Sequence, residues 1–232
     1  MVVGDIVGDK KNRVIIAEEN TLHAYEFFQN TLKPIGDIKL GMRIKILRLS
    51  LLDLDHDGKD EIIVSGLDDP EGNAAPRSYI FRFNNGKFEE FMPPQKMHLS
   101  VVRIPPTYMP TLIGQKKGNH GPFDEFGASE MYYQNGALQA VRRINLPVGG
   151  NLYNFAYLPD GNSFKIVMLN EYSYMKVFSS GMEPQYTQEE GYNSSSSYII
   201  IDERLPGMEG GARDTGVEDF YYVPIRDRKS VV

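Results

Sequence analysis

The residues best placed to do chemistry lie in "SLLDLDHDGKDEIIVSG", Ser50 to Gly66, where Asp53, Asp55 and Asp57 alternate ahead of Gly58 and Glu61. Alternate aspartates in a tight loop converge their carboxylates on one point, and calcium is a hard cation that takes roughly six to eight oxygen ligands at flexible geometry. With Asp53 as position 1, the aspartates fill positions 1, 3 and 5. Gly58 permits the sharp turn, Lys59 can offer its backbone carbonyl at position 7, and Glu61 stands at position 9. Four acids so close together repel one another unless something compensates. A divalent cation is one answer, and an acidic hairpin without metal is the other. An EF-hand does not fit, because it needs a bidentate Glu at position 12, which is Val64. It also needs a helix after the loop, whereas Ile62, Ile63 and Val64 read as a buried strand.

Other reactive residues are scattered. His23, His56, His98 and His120 show no metal-binding spacing. His56 reads as a filler of the acidic loop. "KKGNHGPFDEF", Lys116 to Phe126, gathers His120, Asp124 and Glu125 but carries the Gly and Pro of a connecting loop. "YNSSSSYIII" offers hydroxyls with no base beside them and reads as a surface segment, and "LPGMEGGARDTGVEDF" reads as an exposed loop open to a partner. The sequence contains no nucleophile elbow, phosphate-binding loop or dinucleotide fingerprint.

The elements that must position these residues are strands. Short apolar or aromatic runs recur at Arg13–Ile16, Glu61–Val64, Thr111–Gly114 and Lys165–Met168, with first residues 48, 50 and 54 apart. Each is followed by a second run, at Leu22–Phe27, Tyr79–Phe83, Met131–Tyr133 and Met175–Phe178. After the second runs come "QN" at 29–30, "NNG" at 84–86, "QNG" at 134–136 and "SSG" at 179–181. Asn-Gly supplies the positive-φ pair of a tight hairpin, so the turn chemistry repeats in register with the strands. Helical periodicity is weak throughout.

A period near 50 residues built from short strands predicts an all-β chain folded as a β-propeller, since a small sheet buries both faces only by stacking on others. Four units are read within a single domain over 1–232, at about 1–48, 49–104, 105–155 and 156–215. "FYYVPIRDRKSVV" looks like a strand running on toward a further unit, so the expected whole is a larger propeller. The competing reading is an irregular β-sandwich.

Composition narrows the class. Fourteen Tyr and twelve Phe with no Trp suit pleated faces. A net charge of −6 without a basic stripe argues against nucleic acid. No apolar run reaches the length of a membrane span. The absence of cysteine excludes disulfides and thiolate metal sites and fits the cytosol or a bacterial envelope. The opening "MVVGDIVGD" is strand-like and lacks the pattern of a signal peptide.

"DLDHDGKDEIIV" resembles the FG-GAP/VCBS repeat, a β-propeller blade with a D-x-D-x-D-G-x-x-[DE] calcium loop found in integrin α-subunit heads and many bacterial surface proteins. The resemblance implies calcium ligation by Asp53, Asp55, Asp57, Lys59 through its carbonyl, and Glu61. The preceding unit, "GDIVGDKKNRVIIA", keeps only Asp5 and Asp9; Val7, Lys10 and Arg13 replace the middle acid, the glycine and the last acid. The later units have lost the loop. "LIGQKKG", "FDEFGASEMYYQNGAL" and "NLPVGGNLYNF" are similar to VCBS-type proteins of Gram-negative envelopes. The resemblance thus implies a periplasmic, outer-membrane-associated or secreted scaffold that is not an enzyme and takes protein or glycan partners. A carbohydrate-active lyase or hydrolase with a site in the axial channel is the alternative.

Overall fold

Apolar β-branched residues between short turns leave the chain little choice but strands, and strands are what form. The computed structural model describes residues 1–68, 75–118, 122–124, 127–170, 174–188 and 190, with the backbone alone of 197–202 and 220–225. The first sheet comprises β1 (Val2–Gly4), β2 (Arg13–Glu18), β3 (Thr21–Phe28) and β4 (Thr31–Lys39). The second comprises β5 (Ile44–Leu52), β6 (Glu61–Asp68), β7 (Ala75–Asn84) and β8 (Lys87–Gln95). The third holds β9 (His98–Ile104), β10 (Met109–Gln115), β11 (Ala128–Gln134) and β12 (Ala137–Ile144). The fourth holds β13 (Phe155–Asp160), β14 (Ser163–Leu169), β15 (Met175–Ser179) and β16 (Pro184–Thr187). A two-stranded antiparallel hairpin follows, β17 (Ser197–Asp202) with β18 (Phe220–Ile225). Each four-stranded sheet is an antiparallel meander in chain order. The described residues contain no helix, and therefore none long and apolar enough to cross a membrane.

The recurring turns close the hairpin between the third and fourth strands of the first three sheets. Gln29–Asn30, Asn85–Gly86 and Asn135–Gly136 all have positive φ at both residues, the geometry whose twist matches the flanking strands. The fourth copy differs: "SSG" leads into Met182 at φ 68°, and a register shift follows Val177. The sheets also begin earlier than the turn-based limits of 49, 105 and 156 imply. β5, β9 and β13 hydrogen-bond to the strand that follows them, a pairing that spacing alone does not disclose.

The core is made by sheets stacked face to face in chain order. Along β6 the alternation of side chains sends Ile62 and Val64 into a cluster with Val2, Ile15 and Leu22 of the first sheet. Ile63, between them, joins Leu99 and Leu112 of the third sheet. One sheet further on, Ile113 of β10 packs with Phe155, Ile166 and Met168 of the fourth. Both faces of β6 are covered, which is why Ile62, Ile63 and Val64 run apolar without alternation. The leading strands lie next to one another, β1 against β5, β5 against β9 and β9 against β13. The loops after β1 and β5 consequently emerge side by side.

Candidate metal centre

The acidic loop joins β5 to β6 and is pinned from below. Leu54, between Asp53 and Asp55, is buried in the cluster shared with Ile63 and Leu99. Asp53 caps the turn, accepting the backbone N–H of Asp57 at 3.1 Å and of Gly58 at 3.0 Å on its two oxygens. The chain reverses through His56 at φ 61° and Gly58 at φ 87°, and the second of these is the conformation that glycine tolerates best.

Asp53, Asp55 and Glu61 each present a carboxylate oxygen within 4.8 Å of the others, an arrangement that could hold a metal ion. Glu61 is fully buried, and burial pushes its carboxyl above the ordinary value against the opposing pull of the Leu54 N–H and Arg82. Its Oε2 accepts that N–H at 2.7 Å, and its Oε1 accepts Arg82 Nε at 3.1 Å. Arg82 Nη2 also donates to Asp55 Oδ2. Asp57, the remaining aspartate of the loop, does not join these three. Asp57 turns one oxygen to the Lys59 N–H at 2.9 Å and holds the other 4.0 Å from Arg82. Lys59 lays its aliphatic stem along Gly8 of the neighbouring loop.

In the degenerate loop after β1 the two remaining acids bond to the chain itself. Asp5 gathers the backbone N–H groups of Val7 (3.2 Å), Gly8 (2.7 Å) and Lys10 (2.6 Å). Asp9 pairs with both terminal nitrogens of Arg13, which hold its carboxyl down to about 2. Arg13 occupies the place that Glu61 has one repeat later, and it faces Glu26 across the β2–β3 ladder at 3.6 Å. The two loops are tied together: Asp60 N–H donates to the Asp5 carbonyl at 2.8 Å, and Asp5 N–H to Asp60 Oδ2 at 3.1 Å. Burial raises the Asp60 carboxyl above its ordinary value, outweighing the Asp5 N–H. Glycine at position 4 is what lets Asp60 come so close, because a Cβ there would collide with Asp60 Oδ2.

No spacing in the chain announces a second polar cluster, deep between the second and third sheets and the segment leading into the fourth. His98 Nε2 donates to the Pro122 carbonyl at 3.1 Å, so in the neutral ring Nδ1 must accept, and it takes the Tyr153 hydroxyl at 3.0 Å. Tyr153 in turn accepts from Ser65 Oγ at 2.6 Å, and Ser65 accepts the Leu99 N–H at 3.1 Å. Ser78 donates to the Met97 carbonyl at 2.7 Å. Ser65, Ser78 and His98 are all fully buried. Burial lowers His98 to about 4, so the ring is neutral, and burial raises the Tyr153 phenol above its ordinary value. The neighbouring Leu152 is gripped by Arg48 Nη1 on its carbonyl and by Gln115 Oε1 on its N–H. A serine, a histidine and a tyrosine in contact would suggest nucleophilic chemistry at a surface. Here every proton is committed and no face is open, so the cluster is a brace that joins three sheets.

Of the other histidines, His23 lies half-buried 3.9 Å from Glu18, and His56 is exposed on the acidic loop. His120 and Glu125, residues 192–196 of "YNSSSSYIII", and "LPGMEGGARDTGVEDF" except the backbone of Phe220 fall outside the described residues. An open hollow of about 510 Å³ is lined by Glu19, Asn20, Lys39, Met42, Ile44, Lys45 and Ile46. No protein-family model matches the chain, and no curated protein matches it.

Proposed function

We propose that the chain is a calcium-stabilised, non-enzymatic β-propeller scaffold whose metal loop runs from Asp53 to Glu61. The convergence of Asp53, Asp55 and Glu61 oxygens within 4.8 Å carries this reading. Three carboxylates form a hard, all-oxygen donor set of the kind calcium selects over softer metals. Bound there, the ion would neutralise the repulsion among these acids and join the end of β5 to the start of β6. Asp57 and the Lys59 carbonyl are the further ligands that the repeat pattern assigns. Asp57 would reach the ion by releasing the Lys59 N–H.

The propeller reading is supported by sheets stacked in chain order with their leading strands adjacent. The repeat positions of Ile62 and Val64 are buried against the preceding sheet, yet the matching Val14 and Ile16 of the first sheet are only half-buried. That face suits a further blade, and the whole propeller is then larger than the four sheets. The scaffold role, with protein or glycan partners at the bacterial envelope, follows from the resemblance to FG-GAP/VCBS repeats.

Extracellular-type calcium sites bind at roughly 10⁻⁴ to 10⁻³ M. With a dissociation constant of about 10⁻⁴ M, about 1 mM calcium adds about 1.4 kcal/mol. The expected result is a melting temperature higher in calcium than in EDTA. Superimposable melting curves would overturn the metal reading.

A further inference from the structure

The acid cluster already contains a cation. Arg82 stands on β7 opposite Glu61 of β6, one position beyond the Ile62–Phe81 pair, and its guanidinium bridges Asp55 and Glu61. The same carboxylates are the ones that converge on the metal position. One repeat earlier the charges are exchanged, with Arg13 on the inner strand and Glu26 opposite, and the guanidinium pairs with Asp9. Both loops therefore balance their acids with an arginine from the strands beside them. In the first loop Arg13 replaces a ligand, so the exchange is permanent. In the second loop all the acids remain, and the arginine comes from outside the ligand set.

We propose that Arg82 is an intramolecular competitor for the cation. The guanidinium and a divalent ion draw on the same carboxylates of Asp55 and Glu61, so the ion binds only when Arg82 withdraws. The withdrawn state has somewhere to rest, because the guanidinium carbon already lies 4.3 Å from the centre of the Phe91 ring. Two consequences follow. Arg82 holds the loop closed when calcium is scarce, and it weakens calcium binding in inverse proportion to the fraction of time it leaves the site free. The site then responds to abundant calcium and ignores traces. This inference rests on the calcium reading of the loop.

The test titrates calcium chloride by calorimetry into the full chain, Arg82→Gln and Lys87→Gln. Lys87→Gln removes the same unit charge from an exposed position on β8. Melting curves in EDTA and in calcium accompany each titration. Arg82→Gln is expected to bind calcium about tenfold tighter than the native chain. It should also melt lower in EDTA and gain more from calcium, with Lys87→Gln close to native. If Arg82→Gln is unfolded in EDTA, refolding on addition of calcium supports the proposal, as does a gain in affinity in the milder Arg82→Lys. Equal affinity in native and Arg82→Gln overturns the competitor role while leaving the calcium site intact. Weaker binding in Arg82→Gln also overturns it and makes Arg82 a brace. Binding by none of the proteins overturns the calcium reading and this inference with it.

Discussion

Replacing His98 should remove a specific part of the chain's acid sensitivity. In the unfolded chain its pKa is the ordinary 6.5, and in the fold burial lowers it to about 4. Above about pH 6.5 neither state carries the proton, and the network with Tyr153, Ser65 and Pro122 contributes in full. Between about 6.5 and 4 the unfolded chain alone takes up the proton, so stability falls as pH falls. Below about 4 both states are protonated and the loss levels off. The separation between the two values sets a ceiling of about 3 kcal/mol, most of which is already lost at about pH 4.5. The assay is urea unfolding of the native chain and His98→Gln at a series of pH values from about 7.5 to about 4.5. His98→Gln should be less stable at pH 7.5, since Tyr153 and Pro122 lose their partner. Its further loss on acidification should be smaller than the native chain's by about 2 kcal/mol. Asp9, Asp60 and Glu61 titrate alike in both proteins and drop out of the difference. Parallel stability curves would show that His98 is not held neutral, and the reasoning from its burial would fail.

Glu61→Ala leaves the Leu54 N–H without its acceptor and Arg82 without one of its two carboxylates. It should cost about 2 kcal/mol in metal-free solution, measured by chemical denaturation. Gly36→Ala places a Cβ 2.5 Å from the Gly86 carbonyl and 2.9 Å from Phe83 Cε2. Neither the backbone oxygen nor the packed ring can yield easily, so a loss of about 1–3 kcal/mol is expected. Gly41→Ala, with nothing nearer than 3.7 Å, should be close to neutral in the same denaturation experiment.

Much of the local structure was legible because short-range rules decide it. The runs at Arg13, Glu61, Thr111 and Lys165 became the second strand of each sheet, and the positive-φ turns fell where Asn and Gly required them. The leading strands β5, β9 and β13 escaped notice. "IKILRLSLL" and "HLSVVRI" mix polar and apolar residues, and only their ladders to the next strand show where each sheet begins. In the acidic loop, residue order singled out Asp53, Asp55, Asp57, Lys59 and Glu61, and three of them, Asp53, Asp55 and Glu61, converge where the backbone turns sharply. Order said nothing of Arg82, 21 residues beyond Glu61, or of the bond that joins Asp60 to Asp5 across two loops. Those contacts exist only because antiparallel pairing sets β7 beside β6, and stacking sets one sheet's loop against the next. The same holds for His98 and Tyr153, which lie 55 residues apart in sequence. Spacing determined which acids meet, and the packing of sheets decided that Arg82 meets them.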